Sequence, residues 1–183
     1  MHPLSLISYF FGGVRRVCGH MSKPYADRPL AGGGRRAVET YDVAATLIEL
    51  ETGASGVISL SRSAWGRKSR IAVQIYGSRG TLVYDQERMN ELQLYTTDLP
   101  PDTQGFRTIL TGPQHPPFDR FIPAPGHQLG FNDLKIIECR ELIRRISGER
   151  AHLIEFEDGI RIERTVDAMA RSAHEGRWLK VSA

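Results

Sequence analysis

Three histidines, His2, His115 and His127, sit beside proline or glycine outside any strand-like run. An imidazole changes charge near neutral pH, so each could move the proton of a substrate hydroxyl; each equally suits an exposed or capping position. Arg67 and Lys68, in Trp65-Gly66-Arg67-Lys68-Ser69, fall at a turn between strand patterns. Two cations there either clamp a hydroxylated or anionic substrate or keep the turn solvated. Other chemistries find no constellation. Cys18-Gly19-His20 is an isolated pair, and the other histidines lack the i, i+4 spacing of a helical zinc site, so no metal is expected. Ser5, Ser8, Ser61 and Ser63 have no adjacent base and no nucleophile elbow. Gly32-Gly33-Gly34 follows a loop rather than a strand, and Gly77-Ser78-Arg79-Gly80 reads as a hairpin turn, so neither is a nucleotide fingerprint.

The elements that must position these residues begin with a helix from Pro3 to Phe11, stopped by Gly12-Gly13, and a strand from Val14 to Met21. Ser22 to Val38, with two prolines and a triple glycine, reads as a long loop. Val43 to Leu50 is apolar on both parities, the pattern of a strand covered on both faces. Gly56–Ser61, Ile71–Tyr76, Leu82–Tyr84 and Leu92–Thr96 extend it as an antiparallel meander. Leu99 to Gly130 has no period and is a candidate binding loop. Two helices follow. The first is expected to be capped by Asn132, with an apolar seam of Ile136, Cys139, Ile143 and Ile146 and a stop at Gly148. The second has Asp158 as its cap, Ile162, Val166, Met169 and Ala173 on one face, and Gly176 as its stop. Arg177 to Val181 makes a last strand. The expectation is an α+β fold: an open, mostly antiparallel sheet with helices on one face. The chain supplies no second helical layer, so a homodimer or higher homo-oligomer through the other face is expected.

Composition narrows the class. The chain has 183 residues, 40% hydrophobic and 25% charged, with a formal net charge of +3. That is the balance of a globular protein, and its scattered arginine pairs do not form a nucleic-acid footprint. Leu4 to Phe11 is too short to span a bilayer and lacks the flanks of a signal peptide, so no membrane partner is expected. Two cysteines fit a reducing compartment, and a cytoplasmic location is expected.

Asp42-Val43-Ala44-Ala45-Thr46-Leu47-Ile48-Glu49-Leu50-Glu51-Thr52-Gly53-Ala54-Ser55-Gly56 resembles a strand–turn–strand stretch of the glucose–fructose oxidoreductase, inositol dehydrogenase and MocA family. Arg62 to Lys68 and Ile75 to Leu82 resemble the strands that follow in the C-terminal domain of that family. Phe156-Glu157-Asp158-Gly159 and Val166 to Trp178 resemble its last helix and strand. The shared order covers nearly the whole chain. The resemblance implies a two-part oxidoreductase: a Rossmann domain holding NAD or NADP, and a C-terminal domain that dimerises and supplies most substrate contacts. His2-Pro3-Leu4-Ser5-Leu6-Ile7-Ser8-Tyr9-Phe10-Phe11-Gly12 is similar to the helix opened by the family's Asp-x-Gly-x-His motif, which makes His2 the motif histidine that assists proton transfer.

The motif aspartate would fall four residues before His2, ahead of Met1, and the family's lysine motif and glycine-rich unit have no counterpart here. Residues 1–183 are therefore expected to be the substrate-binding and dimerisation domain alone, without the Rossmann domain, binding no cofactor and not catalytic by itself. The intact enzyme would oxidise a sugar, cyclitol or similar polyol. His2 is the catalytic candidate, and Arg67, Lys68 and His127 are the substrate-binding candidates. Two other readings stand beside it. One is a stand-alone, non-catalytic dimer that binds polyols or acts as a scaffold. The other is an independent enzyme using His127 or His115 with Arg67.

Overall fold

The computed structural model describes residues 2–182. In chain order the elements are α1 (His2–Phe11), β1 (Val14–Ser22), β2 (Asp27–Pro29), β3 (Arg35–Ala37), β4 (Val43–Leu50) and β5 (Ser55–Ser61). They continue with β6 (Ala72–Gly77), β7 (Gly80–Asp85), β8 (Glu91–Thr96), β9 (Arg107–Leu110), α2 (Phe131–Ile146), α3 (Phe156–Glu175) and β10 (Leu179–Lys180). The chain forms two compact units, Met1–Gly66 with Ile154–Ala183, and Arg67–Leu153. The fold is α+β with antiparallel open sheets. No helix among the described residues is long and apolar enough to cross a membrane.

The first unit holds a four-stranded sheet in the order β10-β1-β4-β5 and the β2–β3 hairpin. Val17, Ile48, Leu50 and Ile58 from the sheet pack with Ile162, Ala168 and Met169 of α3 and Leu4 of α1. Each such aliphatic side chain removed from water contributes about 1.5–3 kcal/mol. Close approach of α3 to β1 depends on Gly19, where a Cβ would lie 2.8 Å from the Met169 carbonyl oxygen. The fully buried Ser172 hydroxyl joins the two elements. It accepts from the Gly19 amide at 2.9 Å and donates to the Arg177 carbonyl at 2.6 Å. Gly176, with φ +65°, closes α3 as its spacing suggests.

The doubly apolar β4 is covered by its own chain on one face only. Thr46, Ile48 and Leu50 are buried, whereas Ala45 and Leu47 are exposed. Leu47 lies in register with Val57 of β5, itself 71% exposed. The expected loop over 22–38 contains the β2–β3 hairpin. Gly33 and Gly34, at φ +90° and +79°, let the backbone return, and Arg35 pairs with Asp27 across it.

The second unit holds the sheet β6-β7-β8-β9 and α2. The expected five-strand meander thus divides, β4 pairing with β5 and β6 with β7. The segment 99–130 also contributes a strand, β9, whose Thr108 exchanges side-chain hydrogen bonds with Gln93 of β8. Asn90 anchors the rest of that segment. Its Nδ2 donates to the Leu129 carbonyl at 3.0 Å, and its Oδ1 accepts from the Leu129 amide at 2.9 Å and the Thr111 hydroxyl at 2.8 Å.

Helix α2 corrects the expected seam. Ile136, Cys139, Ile143 and Ile146 face solvent, Ile146 being 77% exposed. The face turned inward carries Leu134, Ile137, Glu141 and Arg144. Glu141 is tolerated there because it accepts from the His152 amide at 3.0 Å and from Arg140 and Arg144 at 3.1 and 3.2 Å. The caps are also corrected. Asp133 and Asp158 lie in the first turn of α2 and α3, their carboxylates accepting from the Gly130 and Glu155 amides at 2.8 and 3.1 Å. Asn132 lies within α2 rather than capping it.

Candidate functional site

His2 is exposed at the first residue of α1. The helix beneath it is fixed by Leu4 in the core and ends where the Gly12 amide donates to the Ser8 carbonyl at 3.0 Å. The first unit therefore offers the His2 imidazole to solvent from an anchored helix.

Arg67, Lys68 and His127 all belong to the second unit. Glu87 organises the first two. Its Oε2 accepts from the Arg67 guanidinium at 2.9 Å, and its Oε1 accepts from the Lys68 backbone amide at 2.8 Å. The Lys68 amide first, and then Arg67, hold the Glu87 carboxyl below the ordinary carboxylate range. Asp85 accepts from Arg70 at 2.7 Å and from the Glu87 amide at 3.0 Å, and its carboxyl is lowered, chiefly by the Arg70 hydrogen bond. Ser69 adopts φ +58°, so the turn between Arg67 and Arg70 is tightly specified. Arg67 is thus partly committed to an internal carboxylate, whereas the Lys68 ammonium has no such bond among the described residues. Nothing in the sequence marks Glu87, an acid 20 residues after Arg67, as the partner of that turn.

His127 Nδ1 lies 3.0 Å from the Ala124 carbonyl oxygen. A carbonyl only accepts, so Nδ1 is the donor in this bond, and Nε2 is the ring nitrogen left for another partner. His115 is used locally, its Nδ1 accepting from the Gly112 amide at 3.2 Å. No hydrogen bond or ion pair joins His127 to Arg67 or Lys68. Among the described residues no group of three His, Cys, Asp or Glu side chains is placed to hold a metal ion.

A concave site that the sequence does not mark lies in the first unit. It has a volume of about 300 Å³, and its ionisable lining consists of Arg28, Arg36, Glu39, Asp42 and Arg62. Asp42 stands where three strand ends meet. Its amide donates to the Ser22 carbonyl at 3.1 Å, and its own carbonyl accepts from the Arg62 amide at 2.8 Å. Its side chain is 3% exposed and accepts from Arg28 at 2.8 Å through Oδ1. In sequence Asp42 is only the residue before a strand, and nothing there marks the hairpin that brings Arg28 and Arg36 to the same cavity.

These features can be set beside known proteins. Residues 1–181 match the model described as the oxidoreductase family, C-terminal alpha/beta domain, and the chain belongs to that glucose–fructose oxidoreductase, inositol dehydrogenase and MocA family. Levoglucosan dehydrogenase of Pseudarthrobacter phenanthrenivorans is 31% identical over 98% of this chain and 50% of that protein. An NAD binding oxidoreductase from Klebsiella pneumoniae superposes with a TM-score of 0.93 at 34% identity, over 100% of this chain and 49% of that one. A levoglucosan dehydrogenase structure in complex with NADH and levoglucosan gives 0.92 at 31% identity, over 100% and 48%. The chain spans about half the length of the relatives it matches.

Every strand ladder among the described residues is antiparallel, without the parallel βαβ crossing whose glycine turn cradles a dinucleotide. These residues do not fit the cofactor's phosphates.

Proposed function

We propose that this chain is the substrate-binding and dimerisation half of an NAD- or NADP-dependent dehydrogenase acting on a sugar, cyclitol or similar polyol in the cytoplasm. The observation that carries the reading is the likeness to levoglucosan dehydrogenase along 98% of the chain. In this reading the nucleotide is held by the other half of the enzyme, which supplies the hydride acceptor. On the first unit, His2 is the residue proposed to take or relay the proton of a substrate hydroxyl; on the second, Arg67, Lys68 and His127 are each proposed as substrate contacts in their own right. His127 suits such a role because its Nδ1 is bonded to the Ala124 carbonyl, which leaves Nε2 for a hydrogen bond with a substrate hydroxyl. The exposed pair Leu47 and Val57 on the open sheet face is the surface assigned to a second copy.

The test is a fusion of this chain behind the nucleotide-binding half of the Pseudarthrobacter enzyme, assayed with NAD and a panel including levoglucosan. NADH formation from at least one polyol is expected from the fusion and none from the chain alone. A folded fusion that binds NADH yet oxidises nothing in the panel would count against the proposal.

A further inference from the structure

The ionisable groups around the first unit's cavity offer more donors than their own acceptors use. Arg28 is steered by two contacts, Asp42 Oδ1 at 2.8 Å and the Tyr25 ring at 5.3 Å, and only one of its five N–H groups is engaged by that carboxylate. Arg36 and Glu39 approach only to 3.8 Å, beyond a hydrogen bond, and both are exposed. The Arg62 side chain has no acidic partner among the described residues, its backbone alone being bonded, to Asp42. Pairing Arg28 with Asp42 and Arg36 with Glu39 leaves one unbalanced positive charge, on Arg62. The buried Asp42 carboxylate shows the opposite deficit, because its Oδ2 has no hydrogen-bond partner. A buried carboxylate oxygen is seldom left without a donor.

We infer that this cavity is a binding site for a small hydroxycarboxylate, a sugar acid in chemical class. The ligand's carboxylate would pair with Arg62 and with the free N–H groups of Arg28 or Arg36. Its hydroxyl would donate to the Asp42 carboxylate, which lines the cavity and whose Oδ2 has no donor of its own. A neutral polyol satisfies only Asp42, and a simple carboxylate satisfies only the arginines. The volume of about 300 Å³ is at the small end of ligand pockets and suits a molecule of this size. His2 is not among the lining residues, and the inference does not depend on the dehydrogenase reading.

The full chain is titrated by calorimetry with gluconate, sorbitol and acetate, without nicotinamide cofactor. Saturable gluconate binding is expected, with sorbitol and acetate at least about tenfold weaker, the worth of one charge-assisted hydrogen bond. Arg62→Gln and, separately, Asp42→Asn should each weaken gluconate about tenfold. If Asp42→Asn does not fold, Arg62→Gln, with an unchanged melting curve, carries the test alone. Gluconate failing to saturate, sorbitol or acetate binding equally well, or full affinity in Arg62→Gln would each overturn the inference. Because no turnover is read, failure here leaves the fusion experiment untouched, and failure of the fusion leaves this result untouched.

Discussion

The two units hold themselves together by different means. The first has a contiguous apolar cluster in which Val17, Ile48, Met169 and their neighbours are almost wholly withdrawn from water. In the second, the buried aliphatic side chains among the described residues are Ile122 and Leu129, beside half-buried ones such as Leu82 and Leu94, and polar anchors join the strand ladders in ordering the unit. Asn90 ties down Leu129, Glu141 collects three donors, and Glu87 and Asp85 grip the turn at Arg67–Arg70. Meanwhile Tyr76, Phe106, Leu110 and Ile136, Ile143 and Ile146 of α2 lie open. Apolar packing is non-directional and survives small shifts, whereas a satisfied polar anchor fails when one partner is lost. The second unit therefore carries the proposed substrate contacts on the more fragile framework, a usual place for binding segments.

The largest expected effect lies in the first unit. Ile48→Ala should cost about 2–5 kcal/mol by leaving a cavity between the sheet and α3, read from urea denaturation. A loss under about 1 kcal/mol would show that the apolar cluster is not what holds this unit. In the second unit, Asn90→Ala should cost about 1–3 kcal/mol by orphaning the Leu129 amide and carbonyl. Hydrogen exchange should place the loosening at Leu129 and Thr111; unchanged protection there would remove Asn90 as an anchor.

Acid should act on the same framework. Asp85, Glu87 and Glu141 are lowered, chiefly by Arg70, the Lys68 amide and the His152 amide respectively. A carboxylate with a depressed folded value stabilises fully above the unfolded value of about 4 and loses that contribution as pH falls through the folded one. Denaturation followed at the Leu129 and His152 amides should show the second unit weakening below about pH 4, with Glu141→Gln flattening part of the slope. A pH-independent second unit would contradict the polar-anchor account. The smallest effect is expected for Ile143→Ser on the open face of α2, within about 0.5 kcal/mol in this chain. A large loss would mean that the face is covered.

Much of the first unit was legible in the sequence. The bounds of β4, the stop at Gly12 and Gly176, and the buried face of α3 follow from period and glycine placement, because local geometry and apolar burial agree there. The hairpin at 27–37 was hidden, since its strands are only three residues long and are fixed by Asp27–Arg35 and two left-handed glycines rather than by apolar alternation. Helix α2 misled for a sharper reason. It has two partly apolar faces, and the inward one includes Glu141, whose acceptability depends on donors brought from Arg140, Arg144 and His152. Periodicity assigns a buried face by hydrophobicity and has no knowledge of such partners. At the candidate site, His2, Arg67, Lys68 and His127 came from residue type and family resemblance. Glu87 and the Asp42–Arg62 cavity needed tertiary structure, because their partners are distant in sequence.

The proposed function makes His2 the proton-transferring histidine of a dehydrogenase whose nucleotide is held by another domain. Its most direct test is kcat/KM of the fusion enzyme with and without His2→Asn, with NADH affinity measured alongside. The account predicts a loss of about 100-fold or more with NADH affinity unchanged. Full turnover by the His2→Asn fusion would contradict it.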